Sequence, residues 1–267
     1  MRSIASLSNM KNQVALITGG AGYIGRSVAG GLAELGCTLF LLDRPGEALE
    51  QAAAQLSEQY GVAVHPLACD LENEAERMGV CQRVESTTGR LDALVHCAAF
   101  VGDTKLDGWV VPFPEQSMEA VRRCLEVNLT AAFHLSQLLA PLLAARGNGR
   151  ILNVGSIYGV VGPDLRLYDD TAMQNPAAYA MSKGGLVQLT NWMATVLAPD
   201  IRVNAISLGG VFRNQPAVFV ERYVTRTPMK RMATEEDFIG AAAFFCSDLS
   251  AYVTGQNLMI DGGWTAW

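Results

Sequence analysis

Val14-Ala15-Leu16-Ile17-Thr18-Gly19-Gly20-Ala21-Gly22-Tyr23-Ile24-Gly25 sets an apolar run directly against a cluster of glycines. An aliphatic run without polar alternation reads as a strand covered on both faces, and residues 24–35 behind the glycines carry helical spacing. Between them, Gly20, Gly22 and Gly25 spell G-x-G-x-x-G. Each has a task at a strand-to-helix turn: Gly20 for the tight turn, Gly22 for close backbone approach to a pyrophosphate, Gly25 for close packing of helix on strand. The amides around Tyr23 and Ile24, at the helix start, then face phosphate oxygens.

Asp43 stands 18 residues beyond Gly25, at the end of the next apolar run. A carboxylate there accepts hydrogen bonds from an adenosine ribose and repels a 2′-phosphate, so NAD is expected in preference to NADP. Arg44 pulls the other way, and a solvated strand end is the plain alternative for Asp43. Further along, the runs 38–42, 62–68, 91–97, 150–154, 202–206 and Asn257–Ile260 alternate with helical segments at 24–35, 47–60, 72–88, 118–146, 177–197 and 235–247. That alternation predicts an α/β fold: a doubly wound, seven-stranded, mostly parallel Rossmann-type sheet with helices on both faces. We expect one domain over 1–267, with the irregular stretches 101–116, 159–176 and 209–232 at a crevice beyond the carboxyl ends of the strands.

The formal charge of −6 argues against a phosphate-tracking nucleic-acid surface, which needs clustered Lys and Arg, and leaves a small molecule as the expected partner. No uninterrupted apolar run approaches the roughly 18 residues of a membrane span, and the first ten residues are too polar for a signal peptide, so a cytoplasmic protein is expected. Six cysteines without a C-x-x-C pair read as buried thiols in a reducing compartment. His65, His96 and His134 are too dispersed for a local metal-ligand pattern, and no metal is expected.

Tyr179 and Lys183 lie four residues apart, on one face of the helix expected at 177–197. A nearby ammonium lowers a phenol from its usual pKa of about 10, so the pair is expected to trade protons near neutral pH. Alone, Y-x-x-x-K is more readily a surface pair. Its context includes Asn153-Val154-Gly155-Ser156 at the end of the fifth run and Asn128 in Val127-Asn128-Leu129-Thr130. Asp70-Leu71, Cys97-Ala98-Ala99, Asn204-Ala205-Ile206-Ser207, Thr254-Gly255-Gln256 and Asp261-Gly262-Gly263 follow in order. With the glycine turn, these residues resemble the short-chain dehydrogenase/reductase superfamily, single-domain branch. The resemblance implies an NAD(P)-dependent oxidoreductase moving a hydride between a nicotinamide ring and an alcohol or ketone. It assigns Tyr179 as general acid or base, Lys183 to the nicotinamide ribose and to depressing the tyrosine pKa, and Ser156 to the reacting oxygen. Asn128 would hold a relay water, Asp70 and Leu71 flank the adenine, Ala98 and Ala99 line the cofactor, and Gly210 and Val211 lie near the carboxamide. A homotetramer is also implied, with the apolar tail 264–267 as one interface candidate.

Three features depart from the family's pattern. Tyr23 occupies a position usually held by glycine, and Arg213 one usually held by threonine. The spacing of 23 residues from Ser156 to Tyr179 is long, with Asp164, Arg166, Tyr168, Asp169 and Asp170 in the extra loop 162–174. Arg213, Arg222, Arg226, Lys230 and Arg231 then make the 213–231 segment basic, which suits a polar or anionic sugar-like substrate or, equally, a solvated face or subunit contact. The segments 210–216 and 231–238 also resemble members of surface-sugar and flagellin-glycan pathways. A generic carbonyl or 3-oxoacyl thioester reductase, its basic lid holding a carrier phosphate, is one alternative. A non-catalytic dinucleotide-binding protein is another, against which the presence of Asn128, Ser156, Tyr179 and Lys183 counts.

Overall fold

A computed structural model describes residues 1–101 and 106–267; residues 102–105, inside the irregular stretch expected at 101–116, lie outside the described residues. Seven parallel strands form one sheet in the order β3-β2-β1-β4-β5-β6-β7. They are β1 (Val14–Thr18), β2 (Thr38–Asp43), β3 (Val64–Ala68), β4 (Ala93–His96), β5 (Gly149–Ser156), β6 (Ile201–Leu208) and β7 (Asn257–Ile260). Central strands β1, β4, β5 and β6 are buried along their whole length, as the unbroken apolar runs require. Pro66, which has no N–H to give a ladder, is tolerated because β3 is an edge strand.

Alternate strand residues feed two separate cores. Ala15, Ile17, Leu39 and Leu41 pack with Val28 and Leu32 of α2 (Tyr23–Glu34), Leu49 and Leu56 of α3 (Glu47–Tyr60) and Phe238 and Phe245 near the C-terminus. Leu16, Phe40, Leu94, Ile151 and Val203 face the opposite side, against Val80, Val84, Leu135, Leu139 and Met193. The chain runs outward from β1 through β2 to β3 and then restarts at β4 on the other flank of β1. A crevice opens between the carboxyl ends of β1 and β4, where strand order reverses.

The helices depart from expectation in instructive places. A short α1 (Ile4–Ser8), capped by Ser3, precedes the sheet. The helix expected at 72–88 is divided at Gly79 into α4 (Glu74–Met78) and α5 (Val80–Thr88). The one expected at 118–146 becomes α6 (Met118–Leu125), a π turn (Glu126–Thr130) and α7 (Ala131–Ala144). By length and composition alone Met118–Ala144 is apolar enough to cross a membrane, yet Leu135, Leu139 and Leu143 of its inner face lie in the core. Next come α8 (Ala177–Val196), α9 (Ala217–Arg226) and α10 (Glu236–Cys246). α9 falls inside a stretch read as irregular; its signals were Pro216 at the N-cap and the four-residue spacing of buried Phe219 and Tyr223.

Candidate active site

A cleft of about 770 Å³ crosses the carboxyl end of the sheet. Gly22, Tyr23, Ile24 and Gly25 line it, together with Asp43, Asp70, Leu71, Ala98 and Ala99. All nine were expected there. Gly20 does not line the cleft, and the left-handed turn belongs to Gly19, with φ of +68° and no room for a Cβ, which would lie 2.8 Å from Ala98 Cα. The sequence pattern thus put the tight turn one residue late, because two adjacent glycines fit it equally. At Gly25 a Cβ would sit 2.1 Å from the Gly19 carbonyl oxygen, so the close packing of helix on turn holds as read.

The Asp43 carboxylate accepts from the Ala21 amide (3.0 Å) and from the Arg44 amide (2.8 Å), which fixes it against the glycine turn. The Leu71 wall is braced from behind by the fully buried Arg77, which donates to the Leu71 carbonyl and pairs with Glu126 at 2.6 Å. Arg44, weighed from the sequence beside Asp43, also lines the cleft, and cleft residues missed in the sequence include Gly19 and Arg123, whose guanidinium makes a two-pronged pair with Glu72 at 2.9 Å. A glycine cradle open at a helix start, with a carboxylate at the neighbouring strand end, fits a dinucleotide along its length.

Past Ala99 the cleft meets a second cavity of about 570 Å³, which shares Ile24, Cys97, Ala99 and Val101 with it. Ser156, Tyr179 and Lys183 lie in this second wall, brought together by the end of β5 and the first turns of α8. Lys183 is buried and donates to the Val154 carbonyl at 2.8 Å, with its nitrogen 5.9 Å from the centre of the Tyr179 ring. Burial pulls its pKa down to about 8. For Tyr179 the expectation of an acidified phenol is not met in this arrangement. Burial pushes its pKa up, and a hydrogen bond with Ser156 offsets part of that. The ammonium is occupied by a backbone carbonyl and its charge is not what sets the phenol.

Asn128 stands apart from both cavities. Its amide oxygen accepts from the Phe100 amide (2.5 Å), and its nitrogen donates to the Phe100 carbonyl (3.2 Å) and to the Ser182 hydroxyl (3.0 Å). These bonds clamp the segment after β4 to α8, so the side chain itself is committed to structure. In the π turn that carries it, the Ala131 amide bonds Glu126 rather than Val127, shifting the local carbonyls out of α-helical register.

Gly210 and Val211 line the second cavity as expected. Their polar groups are partly spent: the Gly210 amide donates to the Tyr223 hydroxyl (2.5 Å), and the Val211 carbonyl accepts from Gln215 (2.8 Å). Tyr158, Tyr168, Gln174, Asn175 and Gln215 give the cavity its polar surface, and Trp109, Met173, Phe219 and Met232 its apolar one. Tyr158 and Tyr168 share a hydrogen bond between hydroxyls at 2.8 Å.

The basic 213–231 segment does not present free arginines to this cavity. Arg222 pairs with Asp170 (2.9 Å), Arg226 with Asp164, Arg231 with Asp237 (2.6 Å) and Arg213 with Glu235. Among the described residues, Lys183 is the one charged side chain in its wall.

A family model described as enoyl-(acyl carrier protein) reductase matches residues 19–265. The chain is 30% identical to a post-translational flagellin modification protein A of Campylobacter coli, over 96% of this chain and 99% of that one. A short-chain dehydrogenase from Leptospira borgpetersenii with bound NAD+ superposes with a TM-score of 0.84 at 33% identity, covering 99% of this chain and 96% of that one. A gluconate 5-dehydrogenase from Burkholderia cenocepacia, in complex with NADP and tartrate, gives 0.86 at 27% identity over 99% and 100% of the chains.

Proposed function

Given that the chain belongs to the short-chain dehydrogenase/reductase superfamily and is therefore an NAD(P)-dependent oxidoreductase, we propose that it interconverts an alcohol and a carbonyl on a neutral, hydroxylated, sugar-like substrate. One observation carries this reading: Ser156, Tyr179 and Lys183 converge where the dinucleotide cleft opens into a cavity whose polar groups, Lys183 aside, are neutral. When bound, the dinucleotide supplies a hydride donor or acceptor at its nicotinamide ring. At the substrate oxygen Tyr179 gives up its proton during reduction and takes it during oxidation, while Ser156 holds the same oxygen in line. Lys183, softened to about 8 by burial, is suited to pass that proton onward near neutral pH and to hold the ribose beside the ring. Asn128 serves this relay through the turn it anchors.

Asp43 supports NAD over NADP, since its carboxylate is fixed on the cleft wall by two backbone amides. Pairing of Arg222, Arg226 and Arg231 favours a neutral substrate over an anionic one, and over a 3-oxoacyl carrier whose phosphate would need them free. The likeness to a gluconate 5-dehydrogenase supports a hydroxylated, sugar-derived substrate. The whole chain is read as one catalytic domain, cytoplasmic, and working as a homo-oligomer of the tetrameric kind.

The test follows nicotinamide absorbance with neutral polyols and ketoses, phosphorylated and carboxylated sugars, and a 3-oxoacyl thioester. Neutral polyols or ketoses should give the highest kcat/KM. Tyr179→Phe should bind NADH normally and lose at least roughly a hundredfold in turnover. Full activity in that variant removes Tyr179 from the chemistry, and a preference for anionic sugars overturns the substrate class. By fluorescence titration NADH should bind more tightly than NADPH; the reverse order would show Asp43 misread.

A further inference from the structure

The two residues that break the expected pattern, Tyr23 and Arg213, meet in space. The Arg213 guanidinium lies over the Tyr23 ring, 4.4 Å from its centre. Tyr23 is the first residue of α2, and the Gly22 N-cap makes no side-chain hydrogen bond to the helix amides, which are left facing the cleft. Arg213 reaches this point from the opposite wall, on the segment that follows β6. Besides the ring, its guanidinium has the Glu235 carboxylate and the Phe212 carbonyl (2.7 Å) as partners.

Three arginines line the cleft among the described residues, and their surroundings separate their roles. Arg123 lies with its partner Glu72 at the adenine end. Arg44 adjoins Asp43, at the ribose end. Arg213 alone stands over the helix start, where backbone amides and the positive end of the helix favour an anion. A guanidinium is a planar fork matched to two phosphate oxygens, and an aromatic face holds it flat. Glu235 does not line the cleft, so the acid side of the pair lies behind the arginine rather than in the anion's path.

We propose that Arg213, held flat by Tyr23, binds the pyrophosphate of the dinucleotide and so couples the lid segment to cofactor occupancy. This rests on the dinucleotide reading above. The coupling runs through Gln215, whose side chain accepts from the Arg213 amide (2.7 Å), donates to the Val211 carbonyl (2.8 Å) and lines the substrate cavity. An anion drawn against Arg213 therefore bears on the same short turn that presents Gln215 to the substrate.

Calorimetric titration with ADP-ribose, which carries the pyrophosphate without the nicotinamide, isolates the contact; adenosine, followed by NMR, is the phosphate-free control. Arg213→Ala should weaken ADP-ribose at least roughly tenfold, the scale of a charge-assisted pair of hydrogen bonds. Adenosine affinity should stay within about twofold, and ADP-ribose binding should become less sensitive to salt. Tyr23→Gly should weaken ADP-ribose in the same sense by a smaller factor. Glu235→Gln, which frees the guanidinium, should tighten it. Unchanged ADP-ribose affinity in Arg213→Ala overturns the proposal, as does an equal loss for both ligands, which would mark a structural role. Failure of the unmodified protein to bind ADP-ribose would remove the dinucleotide reading along with it.

Discussion

Lys183 is a buried ammonium whose one hydrogen-bond acceptor among the described residues is the Val154 carbonyl. Such a charge costs stability, and the sign of its pH dependence follows. Its pKa falls from 10.5 to about 8 on folding, so between those values the unfolded chain holds a proton that the native chain has released, and stability rises with pH across that window. Below it the ammonium costs about 3 kcal/mol, at about 1.4 kcal/mol per pH unit. Lys183→Met should relieve that cost, less about 1 kcal/mol for the lost bond to Val154. We expect the variant to melt higher than the parent at pH 7, with the gap closing towards pH 10, and to be inactive. A lower Tm at pH 7 would mean that the ammonium is a net stabiliser. At this scale the sequence singled out residues but not their partners. Asn128 stood out in the sequence, yet its bonds to Phe100 and Ser182 span 28 and 54 positions, which no local pattern encodes. The same holds for Tyr179: the four-residue spacing to Lys183 was visible, and the burial that raises the phenol was not.

At the scale of elements, the long loop before α8 and the helix α9 are tied together beside the second cavity, and we read them as one lid. Asp164 in the loop accepts from Arg226 of α9, and Asp170 from Arg222. Tyr168 packs on Phe219 with ring centres 5.5 Å apart. The two ion pairs differ in value. Asp164 is mostly buried and its carboxyl is held below the usual range, first by its bond with the neighbouring Arg166, while Arg226 also lies 4.6 Å over the Trp264 ring. Asp170 is largely exposed, so its pair with Arg222 is screened by water. Arg226→Ala should therefore cost about 1–2 kcal/mol in denaturant unfolding and raise the substrate KM several-fold with kcat little changed. Arg222→Ala should stay within about 0.5 kcal/mol and leave KM alone. Equal effects in the two variants would remove the lid from substrate binding. Both halves were legible, one as a basic segment and the other as an acidic insertion. Their pairing was not, since Asp164 and Arg226 are 62 residues apart and composition reports charge without partners. The strands were read more faithfully than the helices because burial on both faces leaves an unbroken apolar run, whereas the π turn and the Gly79 break change no periodicity that a window can detect.

At the scale of the whole molecule, α8 has two working sides. Tyr179 and Lys183 face the cavity, while Met181, Trp192 and Val196 are each about half exposed on the outside. At about 100° per residue these three fall within roughly 60° of one another, a stripe rather than a scatter. Phe133 of α7 is exposed as well. A large indole left in water has no role in either core, and a stripe of this kind suits a second copy of the chain. The tail read from the sequence as an interface candidate divides instead: Trp264 is buried in its own chain, stacked on Tyr223 at 6.0 Å, and Trp267 is the exposed one. Association through α8 would stiffen the helix that carries the proton donor, so oligomer and activity should fail together. Sedimentation velocity at micromolar concentration should therefore show a dimer or tetramer for the parent chain. Trp192→Glu, with its carboxylate set in the middle of the stripe, should shift it towards monomer. Turnover by that variant should fall and recover in part as protein concentration rises, since mass action restores the contact. A parent chain that sediments as a monomer with full activity would show that the outer face of α8 is solvent-facing surface and that Tyr179 needs no neighbouring subunit.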